Sequence, residues 1–236
     1  MTMAPWSVAL PVVAAGAGIS AWSAFHPAAQ LFGRTIRKTG RRSALALTFD
    51  DGPNPAATPR LLDLLDAHQA QASFFMIGRY VNRYPKLAAE ITARGHAVGN
   101  HTDTHPSLLW LSSRRIADEL QRCQERIEMA AGRRARWMRP PYGFRGPQLD
   151  GVVRRGGFEG VVMWSVTGKD WDPQPASLLK DRLRGARGGD IILLHDGDSR
   201  ALEADRSHVI GALEFWLPRW RDAGLELVSL DALERR

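Results

Sequence analysis

An α/β fold of parallel βα units is predicted by three observations. Short apolar runs alternate with amphipathic stretches from residue 43 onward, each run is followed by turn residues, and nearly every side chain suited to catalysis falls just past a run. Seven such units, compressed into roughly 190 residues, fit a barrel more readily than an open doubly wound sheet, although pattern alone leaves closure open.

The units are read in order. "SALALTF" (43–49) is the first strand, and Thr58 then caps a helix with Pro59 at its first position and Leu61, Leu62, Leu64 and Leu65 on its buried face. "ASFFMIG" (72–78) is the second strand, a helix runs from Pro85 to Gly95, and "HAVGN" (96–100) is the third strand. Ser112 or Ser113 caps a long helix ending near Gly132, "RWMR" (136–139) is the fourth strand, and a helix covers 147–155. "FEGVVMWSV" (158–166) is the fifth strand, a helix covers 176–186, and "DIILLHD" (190–196) is the sixth. The segment 206–223 is an amphipathic helix that Pro218 threatens to kink, and "LELVS" (225–229) closes the series.

Composition narrows the class. Apolar residues make up 44% and charged residues 24% of 236, which is globular and excludes general disorder. The net charge of +7 favours polyanions or an anionic membrane surface, yet no stacking-aromatic or groove-reading motif accompanies it, so no nucleic acid is expected. Cys123 is the one cysteine; it rules out an intramolecular disulfide and sits on the apolar stripe Ile116, Leu120, Ile127, as a buried thiol.

Three segments follow: an apolar stretch 1–33, a basic linker 34–42, and a folded domain 43–236. Met3–Phe25 carries no charge, long enough to cross a hydrocarbon core, though Pro11, Gly16 and Gly18 weaken it. It is read as an apolar helix and a membrane anchor in preference to a cleaved signal or a packed soluble helix, with orientation open; Arg34, Arg37, Lys38, Arg41 and Arg42 would meet anionic head groups.

The chemistry gathers at the strand ends. Asp50 and Asp51 follow the first strand, His101 and His105 the third, Arg139 the fourth and Asp170 the fifth, while His195 and Asp196 end the sixth. A solvated turn is one reading of "TFDDGP". The other begins with His101-x-x-x-His105, which with a carboxylate from another strand end makes a two-histidine, one-aspartate set with an open position, the pattern of catalytic zinc. One of the two aspartates would then bind metal while its neighbour takes a proton from the attacking water, and Arg139 would orient the non-ligand carboxylate. Backbone N–H groups near Tyr142 and Gly143 can face an oxyanion.

"TFDDGP", "NHTDTHP", "RPPYG", Asp170-Trp171 and "LLHDG" occur in the order found in the polysaccharide deacetylases, the NodB-homology domains of carbohydrate esterase family 4, and the chain resembles that family from about residue 43 to 230. The resemblance implies a distorted (β/α)7 barrel and metal-dependent removal of N-acetyl groups from amino sugars. It implies Asp50 as base, Asp51, His101 and His105 as ligands of zinc or another divalent transition metal, and Arg139 as the residue orienting the base. It further implies the Tyr142 amide as oxyanion donor, His195 as general acid tuned by Asp170, and Trp171 and Leu194 as walls of the acetyl pocket. The expected partner is an N-acetylated glycan, resembling chitooligosaccharide or peptidoglycan, handled by a monomer at a membrane. A lipid-linked amino-sugar deformylase and a non-catalytic glycan- or polyanion-binding module are the competing readings.

Overall fold

A computed structural model describes residues 18–233. Its frame is one parallel sheet of nine strands: β1 (Thr35–Ile36), β2 (Ala44–Gly52), β3 (Ser73–Met76), β4 (Ala97–Asn100), β5 (Trp137–Met138), β6 (Gly160–Val162), β7 (Val166–Thr167), β8 (Ile191–His195) and β9 (Glu226–Val228). The spatial order is β1-β6-β5-β4-β3-β2-β8-β7, with β9 beside the first half of β2. The sheet curls into a half-barrel, as the (β/α)7 expectation requires in outline. Helices α1 (18–25), α2 (Thr58–Ala67), α3 (Gly78–Arg83), α4 (Pro85–Ala93), α5 (Ser113–Ala131), α6 (Leu149–Arg155), α7 (Ala176–Leu183) and α8 (Ser207–Asp222) complete it.

β2 is buried along its whole length, so its two faces are both core and its period of two sorts its side chains. Leu45, Leu47 and Phe49 join Leu61, Leu62, Phe74 and Leu213 in the layer under the helices, where Phe49 stacks on Phe74. Ala46 faces the concave side with Phe75, Trp137, Val162 and Ile191, which plug the barrel. Thr48 and Asp50 continue that inner row upward, so the same alternation that builds the core delivers a carboxylate to the carboxyl-end rim.

Several local readings change. Thr58 is not the cap of α2: it is the first helical residue, after Ala57, and its hydroxyl instead donates to Asp196 Oδ2 (2.5 Å) and accepts from the Asn54 N–H. The stretch 158–166 is two strands, because the carbonyls of Val162 and Met163 leave the ladder to accept from the Arg139 guanidinium. α8 runs through Pro218 unbroken, held by buried Leu213 and Leu217 and by stacking of Trp216 on Trp220. α5 starts and stops as read, with Ser112 accepting from the Arg115 N–H and Gly132 left-handed at φ 68°.

The described parts of the N-terminal segments, from residue 18 onward, are packed on the barrel. Basic stretch 34–42, expected as a linker, supplies β1 against β6 and bridges to Asp190 through Lys38. Of the expected apolar helix, residues 18–25 are helical; the rest of that reading lies outside the described residues. No helix among the described residues is long and apolar enough to cross a membrane. α1 is tied down by Arg145, whose own N–H donates to the Ala24 carbonyl and whose guanidinium donates to the carbonyls of His26 (2.9 Å) and Ala29 (2.6 Å).

Candidate active site

Adjacent residues in a strand point to opposite faces, so two aspartates in a row should not share a site. A bulge solves this. β2 pairs Asp50 with Phe75 and Gly52 with Met76, leaving Asp51 as the extra residue, in the left-handed region at φ 70°. Asp tolerates that conformation better than most residues. Gly52 follows because the chain there passes so close to Asp196 that a Cβ would stand 2.2 Å from its Oδ2.

The two carboxylates then take different partners. Asp50 Oδ1 accepts from Arg139 Nη1 at 2.7 Å, and Arg139, buried completely, also donates to Thr48 Oγ1 and lies 4.2 Å over the Phe75 ring. Burial pushes the guanidinium pKa down against the attraction of Asp50, while Nε and Nη2 donate to the carbonyls of Val162 and Met163. Asp51 Oδ1 instead lies 3.1 Å from His105 Nε2 and 3.4 Å from His101 Nε2.

These three atoms are arranged for a cation. Asp51 Oδ1 is buried and makes no hydrogen bond of proper geometry, although it is close to both imidazoles. Ligand atoms of Asp51, His101 and His105 all lie within 4.8 Å of one another. His101 Nδ1 is 2.8 Å from the Arg139 carbonyl, which can only accept, so Nδ1 carries the proton and Nε2 turns a lone pair into the cluster. A buried oxygen without a donor, facing two imidazole nitrogens, fits a divalent metal with mixed N and O ligands. Without one, burial opposes charge on Asp51 but the two histidines hold its carboxyl well below the usual range; burial likewise opposes charge on His101, and Asp50 with Asp51 outweighs it.

The histidine loop is held from behind by residues the sequence reading missed. Thr102 and His105 both have positive φ, and the Glu119 carboxylate accepts from the N–H groups of Asp103 (3.0 Å) and Thr104 (2.8 Å) and from the Thr104 hydroxyl. Arg122 and Arg126 pair with Asp103. The available signal was a carboxylate on the apolar stripe of α5, between Ile116 and Leu120.

Across the rim stands the second half of the site. Asp50 and His195 are register partners on β2 and β8. Asp170 Oδ2 accepts from the His195 N–H (2.7 Å), and Oδ1 lies 3.1 Å from His195 Nδ1. Burial disfavours the imidazolium, but Asp170 prevails and raises the His195 pKa to about 9. The partner of His195 is therefore Asp170; Asp196 turns to Thr58, and burial pushes its carboxyl up to about 7.

Trp171 meets His195 edge-on at 6.2 Å and is exposed. Leu194 does not line the pocket. Alternation puts it beside Phe49 in the layer under the helices, whereas Leu193 pairs with inward-facing Thr48 and shares the face of His195. Tyr142 has φ 61°, and its exposed ring stands edge-on to His105 at 4.7 Å and leads on to Phe144.

The chain is similar to known proteins along most of its length. Residues 37–161 match the family model described as polysaccharide deacetylase. A chitooligosaccharide deacetylase of Azorhizobium caulinodans is 36% identical over 208 residues, covering 85% of this chain and 99% of the relative. A peptidoglycan-N-acetylglucosamine deacetylase of Bacillus cereus is 34% identical, covering 81% of this chain and 88% of the relative. The solved structure of a family 4 carbohydrate esterase from Streptomyces lividans in complex with acetate superposes with a TM-score of 0.72 at 27% identity, covering 84% of this chain and 98% of that one.

Proposed function

The chain belongs to the polysaccharide deacetylase family, and on that premise we propose that it removes N-acetyl groups from the amino sugars of a chitooligosaccharide- or peptidoglycan-like glycan. It is a hydrolase of amide C–N bonds; the glycan, the acyl group and the metal are the parts proposed. One observation carries the reading: neighbouring Asp50 and Asp51 are split between an arginine and a histidine pair, with the Asp170-paired His195 opposite.

A divalent cation, zinc by preference, held by Asp51, His101 and His105 would act as a Lewis acid toward the acyl carbonyl and the attacking water. Asp50, steered by Arg139, accepts the proton of that water as its oxygen bonds to the acyl carbon. The Tyr142 N–H donates to the oxygen that becomes negative. His195, with its pKa near 9 a cation at neutral pH, gives its proton to the sugar nitrogen as the C–N bond breaks. Acetate and a free amine result. Trp171 and Leu193 flank the space where the acetyl methyl would sit.

The test is metal analysis of the purified protein together with product release from chitooligosaccharides, peptidoglycan and lipid-linked amino sugars. Metal with acetate supports the proposal. Metal with formate moves it to deformylation, and neither product would leave a binding module.

A further inference from the structure

α1 is built inside out. Its small residues, Ser23 and Ala24, are the buried ones, while Ile19, Trp22 and Phe25, at i, i+3 spacing on one face, are 57%, 52% and 50% exposed. A helix packed only for solubility would turn that face inward. The helix is nevertheless firmly placed, by the bonds of buried Arg145 to the carbonyls of Ala24, His26 and Ala29. Its position is at the catalytic rim: Phe25 meets Phe144 edge-on at 4.9 Å, Phe144 meets Tyr142 at 5.7 Å, and Tyr142 meets His105 at 4.7 Å. Exposed Trp110 lies on the same end of the barrel, in the turn after the histidine loop.

We infer that α1 lies in the interfacial region of a lipid bilayer with Ile19, Trp22 and Phe25 toward the lipid, and that this holds the catalytic mouth at the membrane surface. The occupant follows from the chain itself: residues 3–17, which precede this helix, contain no charged side chain, so the segment leading to the exposed face is itself one that lipid would accept. Aliphatic Ile19 offers nothing for a sugar ring to stack on, and Trp beside it suits the lipid–water boundary. The enzyme would then work on glycan presented near a bilayer. The placement of α1 does not rest on the deacetylase reading, which enters only through the KM of Trp22→Ser for chitotetraose.

The competing orientation is specific. Arg42 and Arg187, near Lys38 and Arg41, line a basic groove at the amino ends of the strands, the opposite pole, which would seat on anionic lipid. Full-length protein is labelled with an environment-sensitive fluorophore at Ile19→Cys, Trp110→Cys or Gly185→Cys, the last at the opposite pole; buried Cys123, its thiol pKa raised by burial, stays unlabelled. With phosphatidylcholine vesicles, labels at 19 and 110 should brighten, blue-shift and become shielded from aqueous iodide, with 185 unchanged. Trp22→Ser should leave KM for soluble chitotetraose within about twofold. Brightening at 185 and not at 19, only on phosphatidylglycerol vesicles, would overturn the orientation. So would no change at any site, a raised KM in Trp22→Ser that marks the strip as a sugar platform, or a dimer in solution that Trp22→Ser dissociates.

Discussion

Arg139 and Arg145 are near neighbours in sequence and equally hidden, 0% and 1% exposed, but they hold different things. Arg139 faces a carboxylate, Asp50, and keeps it aimed at the space between the histidine cluster and His195. Arg145 faces backbone carbonyls and fastens the N-terminal segment to the rim; burial alone lowers its pKa, with no acid opposing. Each buried arginine here positions a partner: for Arg139 it is the carboxylate proposed to react, and for Arg145 it is a piece of chain.

The comparison can be broken or sharpened in steps, beginning with the largest effect. Stripping metal with a chelator is expected to abolish turnover and zinc to restore it, followed by acetate release; activity that persists in metal-free protein would remove the role assigned to the Asp51 cluster. Asp50→Asn, which keeps an acceptor for Arg139, should lower kcat roughly 10³-fold while zinc remains bound by elemental analysis. Full activity in that variant would sink Asp50 as the base.

Arg139→Met strands the Asp50 carboxylate and should cost about 3–5 kcal/mol in denaturant unfolding, with activity lost as well. Arg145→Met strands only neutral carbonyls, so about 1–3 kcal/mol is expected, with kcat on soluble oligosaccharide nearly kept and residues 18–29 opened to protease. Equal losses of activity in the two would erase the distinction.

Between these in size lies Asp170→Asn, expected to lower kcat about 10²-fold. The sign of its pH effect follows from the raised pKa of His195. The imidazolium is present below about 9, so activity falls as pH rises through that value. The stability contributed by the pair is complete below about 6.5 and lost across the same rise. Removing the carboxylate leaves burial opposed only by the weaker attraction of Asp51 and Asp50, so the alkaline limb of the rate profile should move to lower pH. A limb that stays in place would detach it from His195.

Chain order and side-chain type were enough to place the βα repeat, the ends of α5 and the candidate residues at strand ends, because those depend on periods of two and 3.6 and on caps within a few residues. Expectation failed where a side chain had a distant use. Thr58 gives up capping for Asp196, the carbonyls of Val162 and Met163 turn to Arg139, and Leu194 belongs to the helix layer while Leu193 takes the inner face.

What this sequence determined by itself, then, is the inventory and its order: two adjacent aspartates, a spaced histidine pair, an arginine and a last histidine, each following an apolar run. Only the tertiary structure decided how they are shared out. The bulge at Asp51 sets both carboxylates on one face, Arg139 reaches Asp50 from 89 positions away, and Asp170, 25 positions before His195, claims it in place of adjacent Asp196. Arg145 likewise reaches back to the N-terminal segment. Local preference acts over a turn or a pleat, whereas these pairings exist only once the curled sheet brings distant strand ends onto one rim.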